Sequence, residues 1–149
     1  MNIVSLSGGK DSTAMLLSLI EKHGVSNLVV HHQVMPEEWP ETLEYNQQLC
    51  ARLGVTLVAQ QIIYEPVGDG TAVKRLAIVD IYRESDIVPL GTPGVIAGLA
   101  DLALRRQWPP SPATRYCTAY FKVKLLDTWI RQNRAAWGDN IGVFLGERA

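Results

Sequence analysis

A run of small, polar and charged residues near the start of the chain has the composition of a phosphate-binding loop. It reads Ser7-Gly8-Gly9-Lys10-Asp11-Ser12, and it lies between a short apolar segment and a helical pattern. Two adjacent glycines let the backbone come close to a phosphate, and the N–H groups at the start of a helix point at it. Ser7 and Ser12 add hydroxyl donors, and Lys10 adds a positive charge. We therefore predict that these six residues bind the phosphates of a nucleotide.

The spacing of this loop separates it from two other phosphate loops. Only Gly8 and Gly9 precede Lys10, which disfavours the longer Gly-x-x-x-x-Gly-Lys-Ser/Thr loop, and the loop does not follow the Gly-x-Gly-x-x-Gly pattern either. A simpler interpretation is that the glycines make a turn and that Asp11 or Ser12 caps the helix, which leaves the lysine and the second glycine unexplained. Two interpretations of Asp11 stay open, a ligand of Mg²⁺ when the nucleotide is ATP and an acidic residue favoured by the helix dipole.

The elements that must position this loop alternate along the chain. The hydrophobic pattern predicts strands at 2–6, 27–33, 55–63 and 141–145, and helices at 11–23, 40–53, 94–107 and 118–134. The stretch 68–82 is predicted as a loop and a helix. Alternating strands and helices indicate parallel βαβ units. We therefore expect an α/β fold, Rossmann-like, with a largely parallel sheet in one domain over residues 1–149.

Composition limits the partners that we expect. The 149 residues include 14 basic and 15 acidic residues, a near balance that gives no overall field attracting nucleic acid or an anionic membrane. No apolar run approaches the roughly 20 residues of a membrane span. Cys50 and Cys117 are too few for a disulfide framework, so a cytoplasmic protein is expected, with Cys50 in the core. The four tryptophans, which lack interleaved basic residues, are expected to pack inside the protein: Trp39, Trp108, Trp129 and Trp137.

The loop resembles the Ser-Gly-Gly-x-Asp-Ser loop of the PP-loop superfamily, whose members bind ATP or another adenylyl compound. Three further segments are similar to those of its branch of enzymes like phosphoadenosine phosphosulfate (PAPS) reductase. They are Pro36-Glu37-Glu38-Trp39-Pro40-Glu41-Thr42, then Arg115-Tyr116-Cys117-Thr118 with Lys122, and Gly146-Glu147-Arg148-Ala149. The resemblance implies a HUP-type three-layer sandwich, an adenine nucleotide as ligand, and chemistry at its α-phosphate or sulfate.

The same resemblance implies roles for residues outside the loop. Lys10, Arg115 and Lys122 are the candidate catalytic residues, with Cys117 as a further candidate thiol. Arg148 is a further candidate contact, because guanidinium groups bind oxyanions in bidentate fashion.

Two adjacent histidines, His31 and His32, end the predicted second strand. In open α/β sheets the ligand lies beyond the carboxyl ends of the strands, so these residues are predicted to lie in the adenine and ribose region. Side chains alternate between the faces of a strand, and only one of the two is therefore expected to point toward the ligand.

The chain also departs from the family pattern. Cluster-bearing members have Cys-Cys where this chain has Cys117-Thr118, and the later Cys-x-x-Cys is missing, so no iron–sulfur cluster is expected from two cysteines. The family's C-terminal extension, which carries the catalytic cysteine of the reductases, is expected to be missing as well. A thiol-donor protein or a second copy of the chain is then a candidate partner. The residues do not favour nucleic acid, although tRNA stays open because some PP-loop relatives modify it.

Three functional hypotheses follow. The first is a PAPS reductase-like enzyme that acts on PAPS, adenosine phosphosulfate or ATP. The second is an ATP pyrophosphatase that adenylates or thiolates an acceptor. The third is a nucleotide-binding remnant without catalysis.

Overall fold

A computed structural model describes residues 1–106 and 118–146. The strands in this part of the chain are β1 (Asn2–Ser5), β2 (Leu28–Gln33), β3 (Thr56–Pro66), β4 (Val73–Asp80) and β5 (Gly142–Leu145). The α-helices are α1 (Lys10–His23), α2 (Glu41–Leu53), α3 (Leu99–Arg106) and α4 (Lys124–Trp137), and a π-helical turn over Thr118–Val123 leads into α4. None of these helices is both long and apolar enough to cross a membrane.

The strands form a single five-stranded sheet in the order β4-β3-β2-β1-β5. β1 pairs in parallel with β2 and β5, and β2 pairs in parallel with β3. Only β4 is antiparallel, along β3. The prediction of an α/β fold with a largely parallel sheet is confirmed.

Helices cover both faces of the sheet. On one face, Val4 of β1 and Leu6, which directly follows β1, pack in a cluster with Leu16 of α1 and Cys50 of α2. On the other face, Ile3 of β1 packs against α4 through Leu126 and Trp129. Side chains of β1 alternate between these two layers, as expected for a strand buried on both sides. Cys50 lies in the core, as predicted.

Strand β4 corrects the sequence prediction, which assigned 68–82 to a loop and a helix. The chain instead turns through Gly68-Asp69-Gly70 and returns along β3, with the N–H of Val67 donating to the carbonyl of Ala72 at 3.0 Å. β4 is an edge strand with much of its surface exposed, so it lacks the hydrophobic alternation by which a strand is recognised. Pairing with β3 decides its conformation, which is a tertiary effect.

Two further predictions are corrected. Helix α3 starts at Leu99 and not at residue 94, because Ile96 pairs with the backbone of Tyr64 in an isolated β-bridge. Trp39 was expected to pack, yet it is 81% exposed, since it lies in the connection between β2 and α2 where no sheet face is available to cover it. Trp129 and Trp137 do pack, with ring centroids 4.8 Å apart. Trp108 lies outside the described residues.

Candidate functional site

The loop between β1 and α1 is held in shape by its own hydroxyl groups. The Ser12 hydroxyl donates to the carbonyl of Gly9 at 3.0 Å and accepts from the N–H of Ser7 at 3.3 Å. Because the proton of Ser12 goes to Gly9, the Ser7 hydroxyl is the donor in the 3.1 Å contact between the two serines. Gly9, the N-cap residue of α1, has no side chain with which to cap the helix. An anion at this position would meet the N–H groups of the first helical turn.

Two glycines bring neighbouring elements against the loop. Gly8 has φ +82°, and a Cβ added there would lie 3.1 Å from the methyl carbon of Thr42 on α2. Gly146 directly follows β5, and a Cβ added there would lie 2.8 Å from the Cα of Ser12. Residues with a Cβ rarely adopt positive φ, and 2.8 Å is too short for two carbon atoms. The loop is therefore enclosed between α2 and the end of β5 by positions that only glycine fits.

Beside the loop lies a cleft of about 520 Å³. Its polar part includes Ser7 and Ser12 of the loop, Ser5 of β1 and Gln33 of β2. Apolar side chains of α4 and β5 form the other part of its wall: Leu126, Ile130, Val143 and Leu145. Such a cleft offers hydrogen bonds at one end and an apolar surface at the other.

The cleft lies at the point in the sheet where the order of the strands along the chain reverses. β2 and β5 flank β1 on opposite sides, α1 leaves β1 toward one face, and α4 reaches β5 from the other face. The chain therefore leaves a crevice between β1 and β5 at the carboxyl ends of the strands. Ligands of open α/β sheets bind at such a topological switch point.

The predicted basic residues are only partly brought together. Lys122, in the π-helical turn before α4, lines the cleft. Lys10 is exposed at the start of α1 and belongs to the loop, but it is not part of the cleft wall. Gly8, Gly9 and Asp11 likewise form the loop without lining the cleft. Arg115, Cys117 and Arg148 lie outside the described residues, so their roles stay predictions.

A chain of buried and partly buried hydrogen bonds crosses the sheet behind the cleft. The Ser5 hydroxyl donates to Oε1 of Gln33 at 2.9 Å, and Nε2 of Gln33 donates to Nδ1 of His31 at 2.7 Å. Because Nδ1 must accept, the proton of the imidazole is on Nε2, which donates to Oε1 of Gln60 at 3.0 Å. Nε2 of Gln60 then donates to Asp80 at 2.8 Å. The chain of bonds joins four adjacent strands and fixes the orientation of each side chain in it.

His31 is a structural member of this chain of bonds. Its ring lies against the indole of Trp129, with centroids 4.4 Å apart, and it has no exposed surface. Desolvation by burial lowers the pKa of His31 from 6.5 to about 4, although its bond to Gln60 opposes this. The imidazole is therefore neutral at physiological pH. Neither of the two histidines predicted near adenine and ribose lines the cleft, and His31 lies behind its wall.

His32 is also buried, and it pairs with a carboxylate near the cleft. Its Nδ1 donates to the carbonyl of Leu6 at 2.9 Å, which leaves Nε2 as an acceptor, 3.6 Å from Oε2 of Glu38. Desolvation by burial raises the pKa of Glu38 to about 7, while the nearby charge of Lys122 lowers it. The pKa of His32 is lowered, chiefly by burial. At 3.6 Å the two atoms are too far apart for a hydrogen bond, and Nε2 has no hydrogen-bond partner among the described residues.

The sequence patterns did not identify several of these residues as part of the site. Ser5, Gln33 and Gln60 belong to strands that are otherwise apolar, and such polar residues in a buried strand are a detectable signal. Which of them become neighbours depends on the strand register, and the sequence pattern alone does not define that register.

Metal binding was predicted only for Asp11, as a ligand of Mg²⁺. Within residues 1–106 and 118–146, no group of three or more His, Cys, Asp and Glu side chains is arranged to hold a metal ion. A nucleotide-bound Mg²⁺ needs only one or two carboxylates, so the proposed role of Asp11 stays a prediction.

A second groove, of about 690 Å³, lies between α2 and α4 at the edge of β3. It is larger than the cleft, but none of the six loop residues lines it. The cleft is the better candidate, because the uncapped start of α1 and Lys122 are both next to it.

The chain was compared with protein-family models, with curated proteins and with solved structures, and no match was found in any of the three.

Proposed function

We propose that this chain is an adenine-nucleotide-binding enzyme of the PP-loop type, similar to PAPS reductases, which acts at the α-phosphate or sulfate of its substrate. The observation that carries the proposal is the position of the Ser7–Ser12 loop. It opens beside a cleft at the switch point between β1 and β5, where a helix start without a capping side chain meets two serine hydroxyls.

The composition of the cleft supports a nucleotide over a bare phosphate. Inorganic phosphate would need only the loop and Lys122. A nucleotide also presents a base and a ribose, and the wall formed by Leu126, Ile130, Val143 and Leu145 offers an apolar surface to these groups. Small-molecule sites commonly combine such a surface with a few converging polar groups.

Reaction at the α-phosphate needs stabilisation of negative charge and little covalent chemistry from the protein. The positive charge of Lys122, which lines the cleft, can stabilise this negative charge, and Glu38 beside His32 can hold a proton nearby. Reduction of a sulfonucleotide also needs a thiol. Among the described residues no cysteine lines the cleft, and burial raises the pKa of the Cys50 thiol to about 11. The thiol would come from Cys117 or from a donor protein.

The second candidate function is that of an ATP pyrophosphatase that adenylates or thiolates an acceptor. The observation that favours it is the carboxylate of Asp127, which lines the same cleft as Lys122. A carboxylate beside the phosphates can hold the Mg²⁺ that accompanies ATP.

Calorimetric titration of the purified chain tests both candidates. The ligands are ATP with Mg²⁺, AMP, adenosine phosphosulfate, PAPS and adenosine 3′,5′-bisphosphate. We expect at least one of them to bind, and we expect Lys122→Ala and Lys10→Ala each to weaken that binding about tenfold or more through loss of a charge-assisted contact. Preference for the sulfonucleotides or the bisphosphate favours the reductase-like function, and preference for ATP favours the pyrophosphatase.

The matched control is Lys22→Ala, which removes an exposed lysine from the last turn of the same helix α1. It should leave every affinity unchanged. If Lys22→Ala weakened binding equally, the effect would come from the overall charge of the protein and not from the loop. If the unmodified chain bound none of the ligands, the proposed function would be wrong.

A further inference from the structure

Asn46 occupies a position on α2 where an apolar residue would be expected. It lies between Leu43 and Cys50 on the buried side of the helix, with the spacing of three and four residues that places side chains on one face. Asparagine is a weaker helix former than leucine or alanine. A fully buried asparagine at this position therefore needs a compensating interaction.

The Asn46 side chain finds no such interaction in the structure. The residue has no exposed surface, and both Nδ2 and Oδ1 are closed off from water. None of the described residues gives either atom a hydrogen bond. Buried amides are almost always hydrogen-bonded, so an unpaired one calls for an explanation.

The unpaired amide faces the phosphate loop. A Cβ placed on Gly8 would lie 3.3 Å from Oδ1 and 3.5 Å from Nδ2 of Asn46. Gly8, with φ +82°, lacks the side chain that restricts backbone rotation in other residues. A modest rotation of the peptide groups beside Gly8 would turn an N–H or a C=O toward an amide that offers both a donor and an acceptor.

We propose that Asn46 is a positioning residue for the loop: when an anion binds to the N–H groups of the loop, Nδ2 of Asn46 donates to the carbonyl of Gly8. The proposal rests on the proposed function, because it assumes that the Ser7–Ser12 loop binds phosphate. Anion binding then gives a partner to a buried amide that has none among the described residues, so this hydrogen bond contributes to the binding free energy.

Asn46→Leu separates this role from an ordinary structural one. The variant replaces an unpaired buried amide by an apolar group of similar size, which is neutral or stabilising in the free protein. The thermal unfolding midpoint without ligand should therefore be unchanged or higher. Affinity for ATP with Mg²⁺ and for inorganic pyrophosphate should fall about tenfold, the usual effect of losing one buried hydrogen bond. Gln48→Leu, on the exposed side of the same helix, should leave affinity unchanged.

A second measurement needs no variant. In the nitrogen-15 spectrum of the unmodified chain, the side-chain NH₂ signals of Asn46 should move downfield when pyrophosphate saturates the loop, because a donor gains an acceptor. Signals that stay in place would overturn the proposal even if Asn46→Leu does not fold.

The outcomes distinguish the two proposals. If the unmodified chain binds neither ATP nor pyrophosphate, the proposed function and this inference both fail. If it binds and Asn46→Leu binds equally well, only the inference fails. A lower unfolding midpoint of Asn46→Leu with unchanged affinity would assign the amide to the stability of α2 alone.

Discussion

The carboxyl group of Glu38 lies beside a histidine that is almost wholly buried, and this changes its acid–base behaviour. Oε2 is 3.6 Å from Nε2 of His32, and 26% of the Glu38 side chain is exposed. Burial raises its pKa from 4.5 to about 7, against the opposing charge of Lys122, and Glu37 raises it further. Between these two pH values the folded protein holds a proton that the unfolded chain releases.

This shift gives a prediction for Glu38→Gln. A carboxyl group with a raised pKa lowers stability as pH increases from about 4.5 to 7, because the unfolded state binds fewer protons. Glutamine does not titrate, so the variant lacks this pH-dependent loss of stability. The free energy of unfolding of the variant should therefore rise relative to that of the unmodified chain across this range, and the difference should become constant only from about pH 8. Urea unfolding at pH 4.5, 5.5, 6.5 and 7.5 measures the difference, and a difference independent of pH would contradict the assignment.

At the residue scale, the sequence correctly placed Ser7–Ser12 between a strand and a helix, and phosphate binding by these residues stays a prediction. It did not point to the residues behind the loop. Ser7 to Ser12 are recognisable because two glycines, a lysine and two serines in succession have few other uses. Glu38 and Asn46 have no local signature. Their properties come from the burial of one against His32 and of the other against Gly8, and these contacts exist only in the folded chain.

At the scale of elements, the hydrogen bonds from Ser5 to Asp80 tie β1, β2, β3 and β4 together by side chains as well as by backbone. His31 is the central member, because it accepts from one glutamine and donates to another. Its neutral state is required for this pattern, since a protonated Nδ1 could no longer accept from Gln33.

Replacing His31 by phenylalanine tests this arrangement. The variant leaves Nε2 of Gln33 and Oε1 of Gln60 without their partner, which should cost about 2–4 kcal/mol of unfolding free energy at pH 7. The cost should be smaller at pH 5. A histidine with a lowered pKa makes the unmodified chain lose stability as pH falls from 6.5 toward 4, and phenylalanine does not titrate. Chemical denaturation at both pH values checks this, and an equal cost at pH 5 and pH 7 would argue against a neutral His31.

The elements also show where sequence patterns were sufficient. The strands and helices around the loop have strong periodicity, and they were predicted to within a few residues. β4 was predicted wrongly because an exposed edge strand carries little pattern of its own. The chain of hydrogen bonds from Ser5 to Asp80 depends on the register of the strands, and that register arises from packing across the whole sheet.

For the whole molecule, the strand order places the candidate site between the first and last strands described. Hydrogen–deuterium exchange can locate it. Ligand binding should slow exchange at 5–13, 118–127 and 142–146, which surround the cleft, and leave the β3–β4 hairpin unchanged. Protection concentrated at the groove between α2 and α4 would place the ligand in the larger cavity instead.

The close contact between Gly146 and Ser12 also has a consequence for how the protein is made. The strand that closes the cleft is synthesised more than a hundred residues after the loop. Pairing between β1 and β5 is a contact of long sequence separation, and such contacts form slowly. Nucleotide affinity should therefore appear only when the last strand has inserted, which makes ligand binding a reporter of completed folding.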